Sequence, residues 1–319
     1  MCGPRWRSRP MPLAQRMQYG GSGDERAGED EGMLRGGLSD LSLLGAVGKL
    51  RAGALTQTRE LPKLNRINEC FEIQCEKASY LLKINRHLAA SQMFQGEEAS
   101  LQALRFAGMM SPKVLRVGDL PESGGSYMIQ EYLHFDVDAL AEPEIQRAVG
   151  RLIARMHSHH PEQHQHFGFG FATCLGNVPM DNSFCTCWSD FFINQRLRPH
   201  MDLVAERFPD EARELILLTP LIVDKARKVI DDENIRPSIL HGNLSPLRTG
   251  IVKRKRNDEE LLHVYLTGPS SFYGDCEFDM AFEDWPLPAS RPAFSPFFWK
   301  GYYETMPRRE GHEKRRQVY

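Results

Sequence analysis

The chain has 319 residues, which is enough for one large domain or for two lobes around a cleft. A formal net charge of −2 excludes the strongly basic surface with which proteins bind nucleic acid or an anionic membrane. No apolar run approaches the roughly 18 residues that a membrane-crossing helix needs. The composition therefore predicts a globular protein with neither a nucleic-acid partner nor a membrane partner.

Residues 1–55 differ in character from the rest of the chain. Residues 1–31 are rich in Gly and Arg and lack the periodic apolar side chains of a packed core, so we expect a disordered N-terminal extension. The arginines that precede the first acid, Asp24, are also typical of a mitochondrial transit peptide. Prolines and a glycine run in the same stretch would interrupt an amphipathic helix, which favours an untargeted, cytoplasmic chain. Residues 38–50 permit a short helix that two glycines weaken.

Seven cysteines are scattered along the chain, and this odd number favours a reducing compartment with free thiols. Cys185 and Cys187 are too close together for the usual paired zinc ligands, and no second pair completes a site. The histidines between residues 157 and 166 likewise lack Cys or carboxylate ligands arranged around them. Free structural thiols are therefore the favoured interpretation.

The first folded stretch carries the pattern of an antiparallel sheet with one helix. Residues 71–73 and 78–84 predict a β-hairpin, because aliphatic and aromatic residues dominate both runs. Residues 89–107 place apolar side chains at helical spacing. Two further strands are predicted at 114–117 and 127–133, on either side of a turn with two glycines. The order strand–strand–helix–strand–strand predicts a small lobe.

The pattern then becomes mainly helical. Three helices are predicted, at residues 148–157, 190–206 and 210–230. Short strands are predicted near residues 239 and 264, with the charged residues 253–260 as a polar loop between them. The sequence thus predicts an α+β protein with a small antiparallel-sheet lobe at 56–135 and a larger helical lobe at 136–319.

Two turn segments in the larger lobe carry the clearest chemical pattern. The first turn segment, residues 239–248, reads Ile-Leu-His-Gly-Asn-Leu-Ser-Pro-Leu-Arg. The second, residues 264–281, reads Val-Tyr-Leu-Thr-Gly-Pro-Ser-Ser-Phe-Tyr-Gly-Asp-Cys-Glu-Phe-Asp-Met-Ala. Each is a short apolar run that ends in a turn rich in small residues. We expect both turns on one side of a cleft.

This pair of segments resembles the catalytic half of the fructosamine-3-kinase (ketosamine-3-kinase) family, a branch of the protein-kinase-like phosphotransferases. The family pattern is His-Gly-Asp-Leu-Trp-x-Gly-Asn, followed by Asp-Pro-Ala and by Tyr-Gly-x-x-Glu-x-Asp/Glu-Leu-Ala. The matching residues here are His241, Gly242, Leu244, Pro269, Tyr273, Gly274, Glu277, Asp279 and Ala281. The resemblance implies a two-lobed protein-kinase-like fold.

Three positions that the resemblance assigns to chemistry are substituted. Asn243 stands where the family has its catalytic-base Asp. Arg248 occupies the position of a metal-binding Asn, and Gly268 that of a second metal-binding Asp. Asn cannot take up a proton, Gly offers no ligand, and Arg brings a positive charge to the place of a cation. The family implies ATP and Mg²⁺ as cofactors, but these substitutions argue against Mg²⁺ binding in this chain.

The small lobe contains the stretches that resemble the nucleotide-binding motifs of the family. Lys83 lies in a stretch similar to the family's Val-Lys-x-Asn-Arg and is expected to pair with Glu97, or alternatively with Glu98, on the following helix. Glu131 and Leu133 lie in a stretch that resembles the hinge strand, where backbone groups accept adenine. A buried strand without a ligand is the alternative interpretation there.

The phosphate loop of the family corresponds to residues 64–71, where its glycines are absent. Glycine allows backbone N–H groups to approach a phosphate closely because it has no side chain. Asn65 and Arg66 would therefore crowd a phosphate, or replace its backbone contacts with an Arg charge.

Aromatic residues between 167 and 197 resemble a stretch that is specific to this family rather than to kinases in general. Trp188 in this stretch, together with His241, is a candidate for the substrate side of the site, since an aromatic ring can stack on the face of a sugar. Packing of the larger lobe is the alternative role for these rings.

The reaction implied by the resemblance is ATP-dependent phosphorylation of the 3-hydroxyl of a ketoamine, such as fructosamine or ribulosamine, on a protein lysine. Its implied partners are glycated proteins or small ketoamines. Three hypotheses remain for this chain: a working kinase, a pseudokinase that binds glycated proteins or another partner, and a degenerate product. The resemblance also stops early, at Tyr319, and residues 282–296 are Pro-rich where a helix is expected. We therefore expect an impaired or inactive enzyme with a shortened larger lobe, and the oligomeric state is open.

Overall fold

The architecture was obtained as a computed structural model. It describes residues 41–48, 50, 53–62, 67–136, 138–160, 165–230, 232–256, 259–281 and 293–319. These residues belong to one compact unit, Gly36–Tyr319. The N-terminal arginines, Asn65 and Arg66, and most of the Pro-rich stretch 282–296 lie outside the described residues, so the expectations for them stay predictions.

The small lobe is an antiparallel sheet with one long helix, as predicted, but the sheet has five strands where four were predicted. The strands pair in the order β1-β2-β3-β5-β4. Their bounds are β1 Leu55–Glu60, β2 Glu69–Cys75, β3 Ser79–Asn85, β4 Val114–Asp119 and β5 Ser126–Glu131. The helix α2 spans Ala90–Phe106 and follows β3 directly.

Alternation along the strands divides the side chains of this sheet between its two faces. On one face, Leu82 and Ile84 of β3 pack in a core cluster with Ile129 of β5. On the other face, Met128 packs against α2, and Lys83 pairs directly with Met128 across the two strands. The period of two therefore places Lys83 on the helix-covered face.

A helix α1, Leu41–Gly48, confirms the short helix that residues 38–50 permit, and it shows that the extension predicted to end at residue 55 is not disordered throughout. Its Leu43, Ala46 and Val47 are buried in the same cluster as Leu82 and Ile84. The two glycines lower helix propensity by about 1 kcal/mol each relative to Ala, but burial of apolar side chains against the sheet favours the helix here. The predicted boundary at residue 55 therefore falls too late.

The larger lobe is mainly helical. Its α-helices are α3 Pro143–Ser158, α4 Trp188–Phe192, α5 Arg198–Arg207, α6 Arg213–Val229, α7 Cys276–Asp279, α8 Pro296–Thr305 and α9 His312–Arg316. A π-helical turn, Ile193–Leu197, joins α4 to α5, so the helix predicted at 190–206 contains a change of helical type. Ile153 of α3 and Phe298 of α8 lie in the principal core cluster of this lobe.

Three two-stranded ladders complete the larger lobe. Their strands are β6 Thr173–Leu175 with β7 Val178–Met180, β8 Ser238–Leu240 with β11 Phe272–Gly274, and β9 Thr249–Arg256 with β10 Glu259–Leu266. The charged spacer predicted as a polar loop is therefore largely strand. Asn177 lies in the turn that joins β6 to β7. No helix in the described part of the chain is long and apolar enough to cross a membrane.

Hydrogen bonds hold the two lobes together beside the cleft. Asn85, at the end of β3, donates through Nδ2 to Oδ1 of Asn177 at 3.0 Å. The backbone N–H of Ser271 donates to Oγ of Ser100 on α2 at 3.0 Å. Because Ser100 lies one turn beyond Glu97 on α2, this bond fixes the second turn segment relative to the small lobe.

Candidate functional site

Lys83 and Glu97 form the predicted ion pair. Nζ of Lys83 lies 2.5 Å from Oε1 of Glu97, and both side chains are only 10% exposed. A buried pair of this kind costs about 3–5 kcal/mol when one partner is removed, because the other charge is left uncompensated. The alternative partner, Glu98, is not needed to satisfy Lys83.

Glu131 and Leu133 lie where β5 leaves the sheet. The backbone N–H of Glu131 donates to the carbonyl of Lys113 at 2.9 Å, and Oε2 of Glu131 accepts from the N–H of Lys113 at 3.0 Å. The side chain of Glu131 therefore extends the pairing of β4 and β5 at the end of these strands. The adenine-binding role of the two residues stays a prediction.

The two turn segments cross at Gly242, which adopts a left-handed backbone with φ of 72°. A Cβ at this position would collide with the carbonyl oxygen of Ser270 in the second segment, so only glycine allows this approach. The N–H of Ser270 in turn donates to the carbonyl of His241 at 2.9 Å.

Asp279 fixes the first turn segment through hydrogen bonds to its backbone. Its Oδ2 accepts the backbone N–H of His241 at 2.5 Å, and its Oδ1 accepts that of Gly242 at 2.8 Å. Nε2 of His157 lies 3.3 Å from Oδ2, and Nδ1 of His157 lies 2.9 Å from the hydroxyl of Tyr302. The shape of this turn therefore depends on one buried carboxylate, whose role the sequence analysis did not identify. Its signal in the sequence was its match to an acidic position of the family pattern, since an acid that is buried needs partners.

Asn243, Arg248 and Gly268, here called the substituted trio, converge as predicted. Nδ2 of Asn243 donates to the carbonyl of Gly268 at 3.3 Å. The Arg248 guanidinium lies directly over Gly268, since a Cβ on Gly268 would lie 3.1 Å from Cζ of Arg248 and would collide with Nη1. The N–H of Thr267 donates to the carbonyl of Arg248 at 2.9 Å. The arginine therefore fills the space that a larger side chain at 268 would need.

His241 is fully buried, which corrects its assignment to the substrate side. Burial lowers the pKa of His241 to about 4, with Arg248 acting in the same direction and Asp279 opposing it. Nδ1 of the ring accepts the backbone N–H of Asn243 at 3.2 Å. The side chain is thus a neutral part of the turn rather than a group that contacts a substrate.

Trp188 is also fully buried, so its assignment to the substrate side is wrong. The indole stacks on Phe191 with ring centroids 5.5 Å apart and on Phe272 of β11 with centroids 6.4 Å apart. Its Nε1 donates to the hydroxyl of Tyr319 at 2.8 Å, and this hydroxyl donates to Oδ2 of Asp275 at 2.8 Å. The aromatic cluster packs beneath β11, as the alternative role of these rings predicted.

Carboxylates of the second turn segment are committed to other partners. Asp275 accepts from Nη2 of Arg309 at 2.6 Å, and Glu277 accepts from Nε of Arg315 at 2.7 Å. Burial alone would raise the pKa of Glu277, but the nearby His312 ring and hydrogen bonds from Arg315 and Arg309 outweigh burial and hold this pKa well below its usual range. The C-terminal residues 309–319 are anchored to the site by these contacts.

The residues of the cleft do not fit a divalent cation. Mg²⁺ is bound through oxygen ligands, usually one or two carboxylates together with substrate phosphates. In the trio only the Asn243 amide supplies a side-chain oxygen, and Arg248 supplies a positive charge. Asp275 and Asp279 are buried and engaged as described. No group of three or more His, Cys, Asp or Glu side chains within the described ranges could hold a metal ion.

A small antiparallel sheet with one helix, a buried strand Lys paired with a helix Glu, and two crossed turn segments in a helical lobe define the protein-kinase-like phosphotransferase fold. A sequence profile of fructosamine kinase matches residues 50–319. The chain therefore belongs to the fructosamine kinase family.

Two curated relatives illustrate the similarity. Ketosamine-3-kinase of Mus musculus is 29% identical over 266 residues, which cover 76% of this chain and 80% of that protein. The chloroplastic protein-ribulosamine 3-kinase of Oryza sativa subsp. japonica is 28% identical over 305 residues, which cover 89% of this chain and 80% of that protein. Neither similarity by itself assigns a substrate to this chain.

Solved structures share the fold. A crystal structure from Haemophilus somnus 129PT, provisionally assigned as a fructosamine-3-kinase, superposes with a TM-score of 0.68 at 24% identity, covering 84% of this chain and 82% of that one. The aminoglycoside phosphotransferase APH(4)-Ia, in a ternary complex with AMP-PNP and hygromycin B, superposes with a TM-score of 0.55 at 15% identity, covering 88% and 87%. At these identities the likeness concerns the fold alone.

Proposed function

We propose that this chain is a non-catalytic member of its family, which binds the ketoamine class of ligand but transfers phosphate at or near background. The observation that carries the proposal is the Arg248 guanidinium lying over Gly268. It fills the space of the missing carboxylate and opposes a cation there by charge repulsion.

Asn243 supports the same proposal from the side of proton transfer. Its amide donates to the Gly268 carbonyl and cannot accept a proton from a sugar hydroxyl. Loss of a general base costs roughly 10²–10⁴-fold in rate. His241 is not a substitute base, because its ring is fully buried and bound to the turn.

The candidate ligands are ketoamines, either free or on the lysines of glycated proteins. They are proposed because the curated relatives are named ketosamine and protein-ribulosamine kinases. A cytoplasmic location belongs to the same proposal, and the six free cysteines among the described residues support a reducing compartment.

The test is transfer of labelled phosphate from ATP to a small fructosamine. We expect background transfer from the wild type and little recovery in Asn243→Asp, because residues that act as a unit are strongly non-additive. Combining Asn243→Asp with Arg248→Asn and Gly268→Asp should give measurable turnover. Gly268→Asp is combined with Arg248→Asn, since the guanidinium lies against the position of the new side chain.

Gly268 has a φ of 58°, where an Asp costs about 1 kcal/mol, so each variant is first compared with the wild type by urea unfolding. Robust wild-type transfer that disappears in Lys83→Ala would overturn the proposal. It would also require a different base in the cleft.

A further inference from the structure

Arg248 is the one member of the substituted trio that adds a chemical group rather than removing one. Its side chain is half-buried, and it forms no hydrogen bond or ion pair with any residue that the structure describes. Arginines at such depth are ordinarily paired with carboxylates. This guanidinium therefore has unused donors at the cleft.

Arg248 lies over Gly268, in the segment whose Ser271 N–H donates to Oγ of Ser100 on α2. Ser100 is one helical turn from Glu97, the partner of Lys83, so Arg248 and Lys83 lie near the same part of α2. Cys70 of β2 is directly opposite Lys83 of β3, on the helix-covered face of the sheet. Burial raises the pKa of the Cys70 thiol and the Glu97 carboxylate acts in the same direction, while the positive charges of Lys83 and Arg248 act to lower it. Both cations therefore act on one half-buried thiol, although they come from different lobes.

The charges around this place do not cancel. Glu97 is committed to Lys83 at 2.5 Å, and Asp279 is committed to the backbone of the first turn segment. Arg248 is then left without a carboxylate among the described residues. An uncompensated guanidinium beside a buried ammonium is an arrangement for a polyanion.

We propose that Arg248 is a built-in cation that binds the phosphate groups of a nucleoside triphosphate together with Lys83, so that nucleotide binding needs no divalent metal. The inference rests on the proposed function, because it assigns a nucleotide-binding role to the cleft whose metal-ligand positions are substituted. A guanidinium binds phosphate oxygens through two parallel N–H donors and supplies a fixed charge, whereas Mg²⁺ must be recruited from solution.

The test measures binding of ATP to the purified full-length chain by isothermal titration calorimetry, in EDTA and in Mg²⁺. We expect the Kd in EDTA to lie within about threefold of that in Mg²⁺, because the charge that Mg²⁺ supplies elsewhere is already present. Arg248→Met should weaken ATP binding in EDTA about tenfold or more, as expected for removal of one partner of a charged pair. Arg248→Lys should retain part of the affinity.

Two controls separate this effect from general charge and from folding. Arg213→Met removes an arginine that is 78% exposed on α6 and should leave the Kd unchanged. Adenosine, which has no phosphate, should bind wild type and Arg248→Met equally. Urea unfolding of each variant shows whether the fold is retained.

ATP binding that occurs only with Mg²⁺, that survives Arg248→Met, or that is absent in both buffers would overturn the inference. The result is independent of the phosphotransfer assay. Metal-independent binding in a chain that also transfers phosphate would retain this inference and overturn the proposed function. Metal-dependent binding without phosphate transfer would overturn this inference and retain the proposed function.

Discussion

The substituted trio differs sharply from the side chains that support the same two turn segments. The support region is defined as His157, Trp188 and Asp279, which are buried, and Tyr319, which is half-buried. The polar atoms that shape the turns have partners there. The trio lies on the cleft side, where the guanidinium of Arg248 has no hydrogen-bond or ion-pair partner among the described residues. Backbone N–H groups bound by Asp279, rather than the side chains of the trio, therefore fix the shape of the first turn segment.

Removing the indole from the support region should have the largest effect on stability. Trp188→Ala leaves a cavity beneath β11 and removes the donor to Tyr319, and truncation of a buried Trp typically costs about 3–5 kcal/mol. The shift of the urea midpoint at constant slope measures this loss. Trp188→Phe, which retains a ring, should lose less. Equal losses for Phe and Ala would show that ring packing is not the source of stability.

Asp279→Asn should be next in size. One backbone N–H of the first turn segment would lose a charged acceptor, or face an amide donor, at a cost of about 2–3 kcal/mol. The matched control is Asp224→Asn on α6, whose exposed pair with Lys228 contributes about 0–1 kcal/mol. Hydrogen exchange of the His241 and Gly242 amides should accelerate in Asp279→Asn alone. Unchanged protection would contradict the anchoring role.

The pH dependence of stability should carry the signature of His241. Its pKa of about 4 in the folded state lies below the ordinary value of about 6.5, so the unfolded chain binds the proton more readily. The stabilisation is complete above pH 6.5 and is lost as pH falls through the folded pKa. Between pH 7 and pH 5 the wild type should lose about 2 kcal/mol through this group.

His241→Asn removes the titration but retains an acceptor for the Asn243 N–H. The wild type should therefore lose about 2 kcal/mol more than this variant over the same pH interval. His166→Asn, at an exposed histidine, is the control and should match the wild type. Parallel pH profiles for wild type and His241→Asn would show that the ring is not neutral in the fold.

The smallest effect is expected in the trio itself. Arg248→Met should change the free energy of unfolding by no more than about 0.5 kcal/mol, because the side chain makes no ion pair or hydrogen bond with the described residues. Chemical denaturation at pH 7 measures it. A loss of unfolding free energy comparable to that of Asp279→Asn would show that Arg248 supports the fold as the support region does. It would contradict the assignment of Arg248 to a ligand.

Short sequence patterns were sufficient to predict much of the fold and of the candidate site. The stretch around Lys83 that resembles the family motif, with the helix predicted after it, was enough to predict the pair of Lys83 and Glu97. The resemblance to the family, carried by short motifs, predicted that the base and metal ligands at 243, 248 and 268 are replaced, and the small residues of both segments predicted turns. These features depend on few neighbours in the chain, so a pattern within a short window contains them.

Other features depend on segments far apart in the chain. Trp188 and His241 have side chains that suit either a sugar or a core, and only packing against Phe272, Tyr319 and Asp279 makes them buried. The helix α1 is stabilised by a sheet that follows it. The contact of Arg248 with Gly268 arises because β9 and β10 bring residues twenty positions apart together. The sequence by itself determined which chemical groups are present, whereas the tertiary structure decided which of them are buried, paired or free to meet a ligand, because burial is the sum of contacts from residues that no local pattern connects.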